Sequence, residues 1–337
     1  MRFVIYGAGG IGGVIGSRLF DHGHGVALIA RGAHREAIEA NGLRIESIEG
    51  AKTLPIPVAE HPNALDLAAD DVVVLAMKGQ DTAAALDALT SCAPPDIAVV
   101  CAQNGVANER AALRFFANVY GMCVMCPTGH LEPGVVEAYS SPITGLLDIG
   151  RYPNGVDDTA RTIAAALEAS TFRSEPREDI MRWKYQKLVM NLGNAVEAAC
   201  GPEARGSDVA RLALREALAC FEAAGIEFVS REEDRERRSD LLQLHDVGGR
   251  RRGGGSSWQS LARGTGTIET DFLNGEIVLL GRLHGLPTPV NLGLQRLARE
   301  LASAGAPPGS MTADQLLAFV TAASSDAQPP NMQVTGF

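Results

Sequence analysis

A short apolar run, Arg2 to Tyr6, leads straight into Gly7-Ala8-Gly9-Gly10-Ile11-Gly12. This order constrains the fold more than any other feature of the chain. It spells a strand, a tight turn and the start of a helix, the G-x-G-x-x-G pattern of a dinucleotide-binding βα unit. Gly7 permits the turn, Gly9 lets the backbone approach a pyrophosphate, and Gly12 lets the helix pack closely on the strand. The helix then presents N–H groups and a positive dipole end to the phosphates. Gly7, Ala8, Gly9, Gly10, Ile11 and Gly12 are therefore candidate cofactor-binding residues.

The second apolar run, Val26 to Ala30, ends in Arg31, and no acid occurs between Val26 and His34. An Asp or Glu closing this strand would hydrogen-bond a ribose 2′-hydroxyl, whereas an Arg accommodates a 2′-phosphate. Arg31 thus favours NADP(H) over NAD(H).

The length of 337 residues suggests two domains. A net charge of −10 argues against nucleic acid as a partner, since phosphate binding needs a basic surface. No apolar run approaches the roughly 20 residues of a membrane span, and the N-terminus lacks the pattern of a signal peptide. The cysteines, Cys92, Cys101, Cys123, Cys126, Cys200 and Cys220, are scattered and fall mostly in apolar segments, which suits a reducing cytoplasm. Cys123 and Cys126 read as buried strand residues, and no metal site is expected. Arginine fills most basic positions, leaving four lysines: Lys52, Lys78, Lys184 and Lys187. A lysine in such a chain invites a role that arginine cannot fill.

Apolar runs at Phe3–Tyr6, Val26–Ala30, Val72–Ala76, Ala98–Cys101 and Val119–Met125 have the length and composition of parallel strands covered on both faces. Further strands are expected around Gly134–Tyr139 and Thr144–Ile149, followed by a turn at 151–155 and an amphipathic helix from Asp157 to Ala169. From Glu178 the periodicity is helical, with long helices expected over Glu178–Cys200, Asp208–Ala224, Ser256–Leu283 and Val290–Ala304. The fold class is α/β, an N-terminal Rossmann-type doubly wound domain followed by an all-helical C-terminal domain. The expected limits are 1–177 for the NADP-binding domain and 178–310 for the helical substrate and catalytic domain. Residues 311–337 form an Ala-, Ser- and Pro-rich tail read as poorly ordered. The run Arg231 to Asp240 reads as a solvated helix face, and Arg250 to Ser257 as a flexible segment. A homodimer through the helical domain is a further expectation, without a decisive apolar stripe to support it.

In an open α/β sheet the ligand meets the carboxyl ends of the strands. Arg31, Lys78 and Asn104 follow three such ends. Lys78 suits the adenosine phosphate or a substrate carboxylate, and Asn104 the nicotinamide end or the substrate. In the helical part, Lys187 and Asn191 are four residues apart and share a face with Trp183. A lysine entering such an apolar segment, with Lys184 three residues away, would have its pKa lowered and could protonate an alkoxide. Ser257 and Glu269 form a third group, ahead of Asn274-Gly275 in an expected helix interior.

Taken together, GAGGIG, the Arg31 strand end, MKGQD, QNGVANE, KLVMN and TIETDFLNG occur in an order and spacing that resembles the ketopantoate reductase (2-dehydropantoate 2-reductase) family over roughly residues 1–305. The resemblance implies NADPH-dependent reduction of 2-dehydropantoate to pantoate, as in pantothenate and coenzyme A biosynthesis. It implies Lys187 as general acid and Glu269 as a group that orients substrate or supports proton transfer. It also implies Asn104 and Asn191 as contacts for substrate and nicotinamide, and Ser257 as a contact for the substrate carboxylate. The chain departs from the family's pattern at three places. Tyr185 stands where a tryptophan is usual, Ala195 stands where a second asparagine is usual (Asn194 is one residue off), and Gly254 replaces a polar residue. These departures leave open a related reductase of another 2-keto or 3-hydroxy acid. A non-catalytic NADP-binding sensor is a third reading, which the retained Lys187, Asn191 and Glu269 oppose.

Overall fold

The computed structural model describes residues 1–325; the rest of the expected tail, 326–337, lies outside the described residues. The chain divides into two compact units. The first is Met1–Leu188 with Glu227–Gly253, and the second is Val189–Ile226 with the chain from Gly254 onward.

The first unit opens with β1 (Arg2–Tyr6), α1 (Gly10–Asp21), β2 (Gly25–Ile29) and α2 (Gly32–Asn41). A hairpin of β3 (Leu43–Ser47) and β4 (Gly50–Leu54) and the short β5 (Val58–Ala59) follow. Next come β6 (Val72–Leu75), α3 (Thr82–Thr90), β7 (Ala98–Cys101), α4 (Asn108–Ala112) and β8 (Val119–Met125). The short β9 (Thr128–Gly129), β10 (Val135–Ala138) and β11 (Ser140–Pro142) lead to β12 (Gly145–Arg151), α5 (Asp158–Glu168), β13 (Phe172–Arg173) and α6 (Ile180–Asn191).

One sheet runs in the order β13-β12-β8-β7-β6-β1-β2-β5. Every neighbouring pair is parallel except β8 with β12. The chain leaves β1 toward β2 and β5, then returns to β6 on the other side. The strand order therefore reverses at β1, the place where an open α/β sheet receives its ligand. Alternate side chains of the central strands feed opposite faces. Val74 and Val100 join Val14, Ile15 and Leu19 of α1, while Val73, Leu75 and Val99 join Leu86 and Leu89 of α3. Both faces are covered, which is why these strands are continuous apolar runs rather than alternating ones. A smaller sheet, β4-β3-β10-β9, takes in the strand expected near Gly134–Tyr139.

The second unit contains α7 (Asn194–Cys200) and α8 (Asp208–Ala223). The chain then returns to the first unit with α9 (Arg231–Arg238) and β14 (Leu242–Leu244), which pairs antiparallel with β11. The second unit resumes with α10 (Ser256–Ala262), α11 (Asn274–His284), α12 (Pro289–Ser303) and α13 (Ala313–Ser325).

Several expectations are corrected here. The helix expected over Glu178–Cys200 breaks at Leu192-Gly193, where a glycine weakens the helix and the Leu192 carbonyl accepts a hydrogen bond from Asn274 Nδ2 (3.2 Å). The helix expected over Ser256–Leu283 stops at Ala262, because Gly264 and Gly266 take left-handed conformations (φ 60° and 71°). Asn274-Gly275 consequently opens α11 rather than lying inside a helix. The second unit is helical throughout its described elements, as expected, while the first unit takes in 178–188 and 227–253 besides 1–177. Residues 227–253 are held to the first unit by Arg237, which ion-pairs with the buried Asp148 of β12. That contact also corrects the reading of Arg231–Asp240 as wholly solvated, since Asp234 is buried and the Arg237 side chain is 9% exposed. In the segment read as flexible, Arg250 pairs with Glu46 and Glu137. The start of the expected disordered tail is instead α13, whose Leu316 and Val320 join the core of α12 residues Leu294 and Leu297.

Candidate active site

The glycine turn between β1 and α1 is pinned from β2, as Gly7 N–H (3.0 Å) and Ala8 N–H (3.3 Å) both donate to the Ile29 carbonyl. Gly7 sits at φ 101°, and a Cβ there would come within 2.6 Å of Met77 N, so only glycine fits. A Cβ on Gly12 would collide with the Gly7 carbonyl and the Ile5 side chain. Gly9 caps α1 without a side-chain hydrogen bond, and the first intrahelical bond at this end runs from Gly13 N–H to Gly9 C=O (2.6 Å). The amides of Gly10, Ile11 and Gly12 precede that bond and carry the partial positive charge of a helix start. The turn and helix start thus fit a pyrophosphate.

His34 of α2 braces this turn, and sequence reasoning missed it. Gly134 N–H donates to its Nδ1 (2.9 Å), so the proton resides on Nε2, which donates to the Ala8 carbonyl (2.8 Å). Its ring lies 4.2 Å from that of His130. The only signal in the sequence was proximity to Arg31.

Arg31 occupies the N-cap position of α2, with its side chain 71% exposed and 3.3 Å from Asp81. Asp81 belongs to the short 3₁₀ turn Gly79–Asp81, for which Lys78 is the capping residue after β6. The ion pair thus links the β2 and β6 strand ends. Asn104 lies in the bend after β7 and is half-buried. Its carbonyl accepts from Asn108 Nδ2 (3.2 Å), and the Asn108 Oδ1 accepts from Thr82 Oγ1 (2.8 Å). Gln103 Nε2 donates to the same Thr82 hydroxyl (2.8 Å). The loops after β6 and β7 are therefore cross-tied beside Asn104.

On α6, Lys187 is half-buried and Trp183 is buried under the Arg177 guanidinium, 4.2 Å from the ring centre. Burial pushes the Cys123 thiol of β8 up to about 12, with the Lys187 charge the leading opposing influence, and that thiol donates to the Trp183 carbonyl of α6 (3.6 Å). Lys184 does not stand as a bare charge beside Lys187. It is buried in an ion pair with Glu109.

In the second unit, Asn191, Asn194, Ser257 and Glu269 are all buried. Asn194 Oδ1 accepts from Arg205 Nη2 (2.8 Å), and Arg205 also pairs with Glu197. The other oxygen of Glu197 accepts from Gly255 N–H (3.1 Å), fixing the start of α10 and hence Ser257. Asn274 Nδ2 donates to the Leu192 carbonyl (3.2 Å) and to Asn291 Oδ1 (3.0 Å). Asn291 in turn donates to Ala213 C=O (3.0 Å) and Glu216 (2.8 Å). This buried chain of amides ties the break just after Asn191 to the turn that follows Glu269. It was hidden in the sequence because its members are far apart. At Gly254, a Cβ would lie 2.5 Å from Trp258 Cγ, so the indole excludes any side chain there.

The first unit is, in fold, a dinucleotide-binding α/β domain with its polar residues at the carboxyl ends of the strands. Two family models carry this further: "Ketopantoate reductase PanE/ApbA" matches residues 3–154, and its C-terminal counterpart matches residues 179–302. The chain belongs to the ketopantoate reductase family. Among curated relatives, the 2-dehydropantoate 2-reductase of Pyrococcus horikoshii is 29% identical over 313 residues, covering 90% of this chain and 99% of its own. That of Mesorhizobium japonicum is 29% identical over 336 residues, covering 90% and 98%. A PanE/ApbA family ketopantoate reductase from Ralstonia eutropha superposes with a TM-score of 0.74 at 29% identity, over 90% of this chain and 99% of that one. D-Mandelate dehydrogenase in complex with NADH and anilino(oxo)acetate shares the fold, with a TM-score of 0.77 at 22% identity over 90% and 99%. No helix among the described residues is long and apolar enough to cross a membrane.

Proposed function

We propose that this protein is an NADPH-dependent reductase that converts 2-dehydropantoate to pantoate, the step found in pantothenate biosynthesis. The observation that carries the reading is the likeness to curated 2-dehydropantoate 2-reductases along 90% of the chain. The glycine turn holds the pyrophosphate, and Arg31 with Lys78 holds the 2′-phosphate end. When bound, the reduced nicotinamide supplies the hydride that the keto carbon receives. Lys187 gives its proton to the keto oxygen as that oxygen becomes a hydroxyl, and is reprotonated from water. Glu269 orients the substrate or supports that proton transfer. Asn104 steadies the nicotinamide end or the substrate. Asn191, Asn194 and Ser257 contact the substrate, and Asn194 also anchors Arg205.

The test is loss of reduced-nicotinamide absorbance with 2-dehydropantoate, NADH being run beside NADPH. Turnover with NADPH and little with NADH supports the reading. NADPH binding without turnover sinks the substrate assignment and keeps the cofactor.

A second reading has a specific observation behind it. Trp258 lays an indole where Gly254 replaces the expected polar residue, which favours a 2-keto acid with an apolar or aromatic side chain. A panel of aliphatic and aryl 2-keto acids separates the two. We also propose a cytoplasmic homodimer; the cysteines are all free thiols, in keeping with a reducing compartment, and light scattering reads the oligomeric state.

A further inference from the structure

Helix α6 carries two lysines three residues apart, and only Lys187 enters the proposed chemistry. Lys184 is 3% exposed, and its partner Glu109 is fully buried. An ammonium has three N–H donors and no acceptor. At Lys184 two of the donors meet the Cys101 carbonyl (3.2 Å) and the Gln103 carbonyl (3.0 Å), and the charge is paired with a Glu109 carboxylate oxygen. Its charge is paired and it donates to two backbone carbonyls in the interior, so its part is to hold rather than to react.

What it holds is specific. Cys101 is the last residue of β7, Gln103 immediately precedes Asn104, and Glu109 lies on α4 just beyond the same loop. One ammonium therefore grips the Asn104 loop at both ends and ties it to the helix that bears Lys187. The carbonyls it binds lie at the strand end, where the backbone leaves the sheet and needs new partners.

We propose that Lys184 is a positioning residue, with Glu109 as its counter-ion, that sets the Asn104 loop against α6 so that Asn104 meets the cofactor in one geometry. The inference rests on Asn104 contacting the nicotinamide end, as proposed above. Arginine cannot take the place, because its donors spread over a planar fork instead of radiating from one nitrogen set between two carbonyls and a carboxylate. This accounts for one of the few lysines in an arginine-rich chain.

Removing Lys184 alone would strand the Glu109 carboxylate in the interior. The test variant is therefore Lys184→Met with Glu109→Met, which leaves no unpaired charge. Full-length proteins are titrated with NADPH and followed by nicotinamide fluorescence, and Asn104→Ala is placed in both the parent and the double-Met background. In the parent, Asn104→Ala is expected to weaken binding about fivefold, and in the double-Met background by less than about twofold, the mark of coupled residues. Equal losses in both backgrounds overturn the proposal. Should the double-Met protein not fold, Lys184→Arg decides: it keeps the charge, and it is expected to lose the same coupling. A Lys184→Arg protein coupled like the parent shows that charge alone suffices and overturns the positioning role. No effect of Asn104→Ala in the parent removes the premise and the proposal together. Failure to reduce 2-dehydropantoate leaves this cycle intact, since it reads cofactor binding only.

Discussion

Arg31 and Asp81 form an exposed ion pair, 3.3 Å apart, that joins the ends of β2 and β6. Exposed pairs of this kind contribute little to stability, about 0–1 kcal/mol. A phosphate can therefore displace Asp81 from Arg31 at small cost. Arg31→Ala is expected to weaken NADPH binding about 10- to 100-fold, the worth of charged hydrogen bonds, and to leave NADH binding nearly unchanged. Dissociation constants for both cofactors check this, and equal losses for the two would refute the 2′-phosphate role.

Lys187→Ala is expected to lower kcat by about 10²- to 10⁴-fold, the usual contribution of a positioned acid. NADPH binding should persist, because the glycine turn and Arg31 are untouched. Stopped-flow turnover beside a binding titration distinguishes lost chemistry from lost cofactor.

Asp157 caps α5 by accepting from Ala160 N–H (2.9 Å), and it also pairs with Arg151 (2.7 Å). Burial opposes its charge, but the Ala160, Arg151 and Tyr120 hydrogen bonds together hold its carboxyl below the usual range. A folded pKa below the unfolded one stabilises the protein above the unfolded value, and that gain disappears as pH falls through the folded one. Asp157→Ala should cost about 0.5–2 kcal/mol at neutral pH. The difference from the parent should shrink toward zero in acid. Urea melts at a series of pH values measure it, and a pH-independent difference would contradict the assignment.

Asn274→Ala removes two donated hydrogen bonds and leaves the Leu192 carbonyl and Asn291 Oδ1 each short of a partner. The expected loss is about 2–4 kcal/mol of stability. Urea unfolding gives the value, and a loss below half a kilocalorie would show that solvent replaces the amide.

The legible parts of the chain were those whose signal is local. Ala98–Cys101 and Val119–Met125 are unbroken apolar runs, and both are strands at those bounds. The Gly7–Gly12 turn and Asp157 as the start of α5 were equally readable, because capping and turn chemistry act within a few residues. β5, β9 and β13 are two residues long, too short to leave a pattern. The break at Leu192-Gly193 was invisible because apolar residues flank it and its cause, Asn274, lies 82 positions away. Lys184 could be marked as unusual by its residue type. Its role could not be read, because Glu109 and the strand-end carbonyls reach it only through the fold. The roles proposed for Lys187, Asn191, Ser257 and Glu269 came from their company in the sequence; no single spacing rule supplies them.

The return of residues 227–253 to the first unit has a consequence for anyone who would take the protein apart. Asp148 is satisfied by Arg177 and by Arg237, and the second of these arrives 89 residues later in the chain. A fragment ending near 177 would keep the buried carboxylate and lose Arg237 together with β14. Neither half is a cassette that can be excised, swapped or expressed alone by cutting the chain once. A designer who wants the nucleotide domain by itself must splice 227–253 back onto it or replace Asp148.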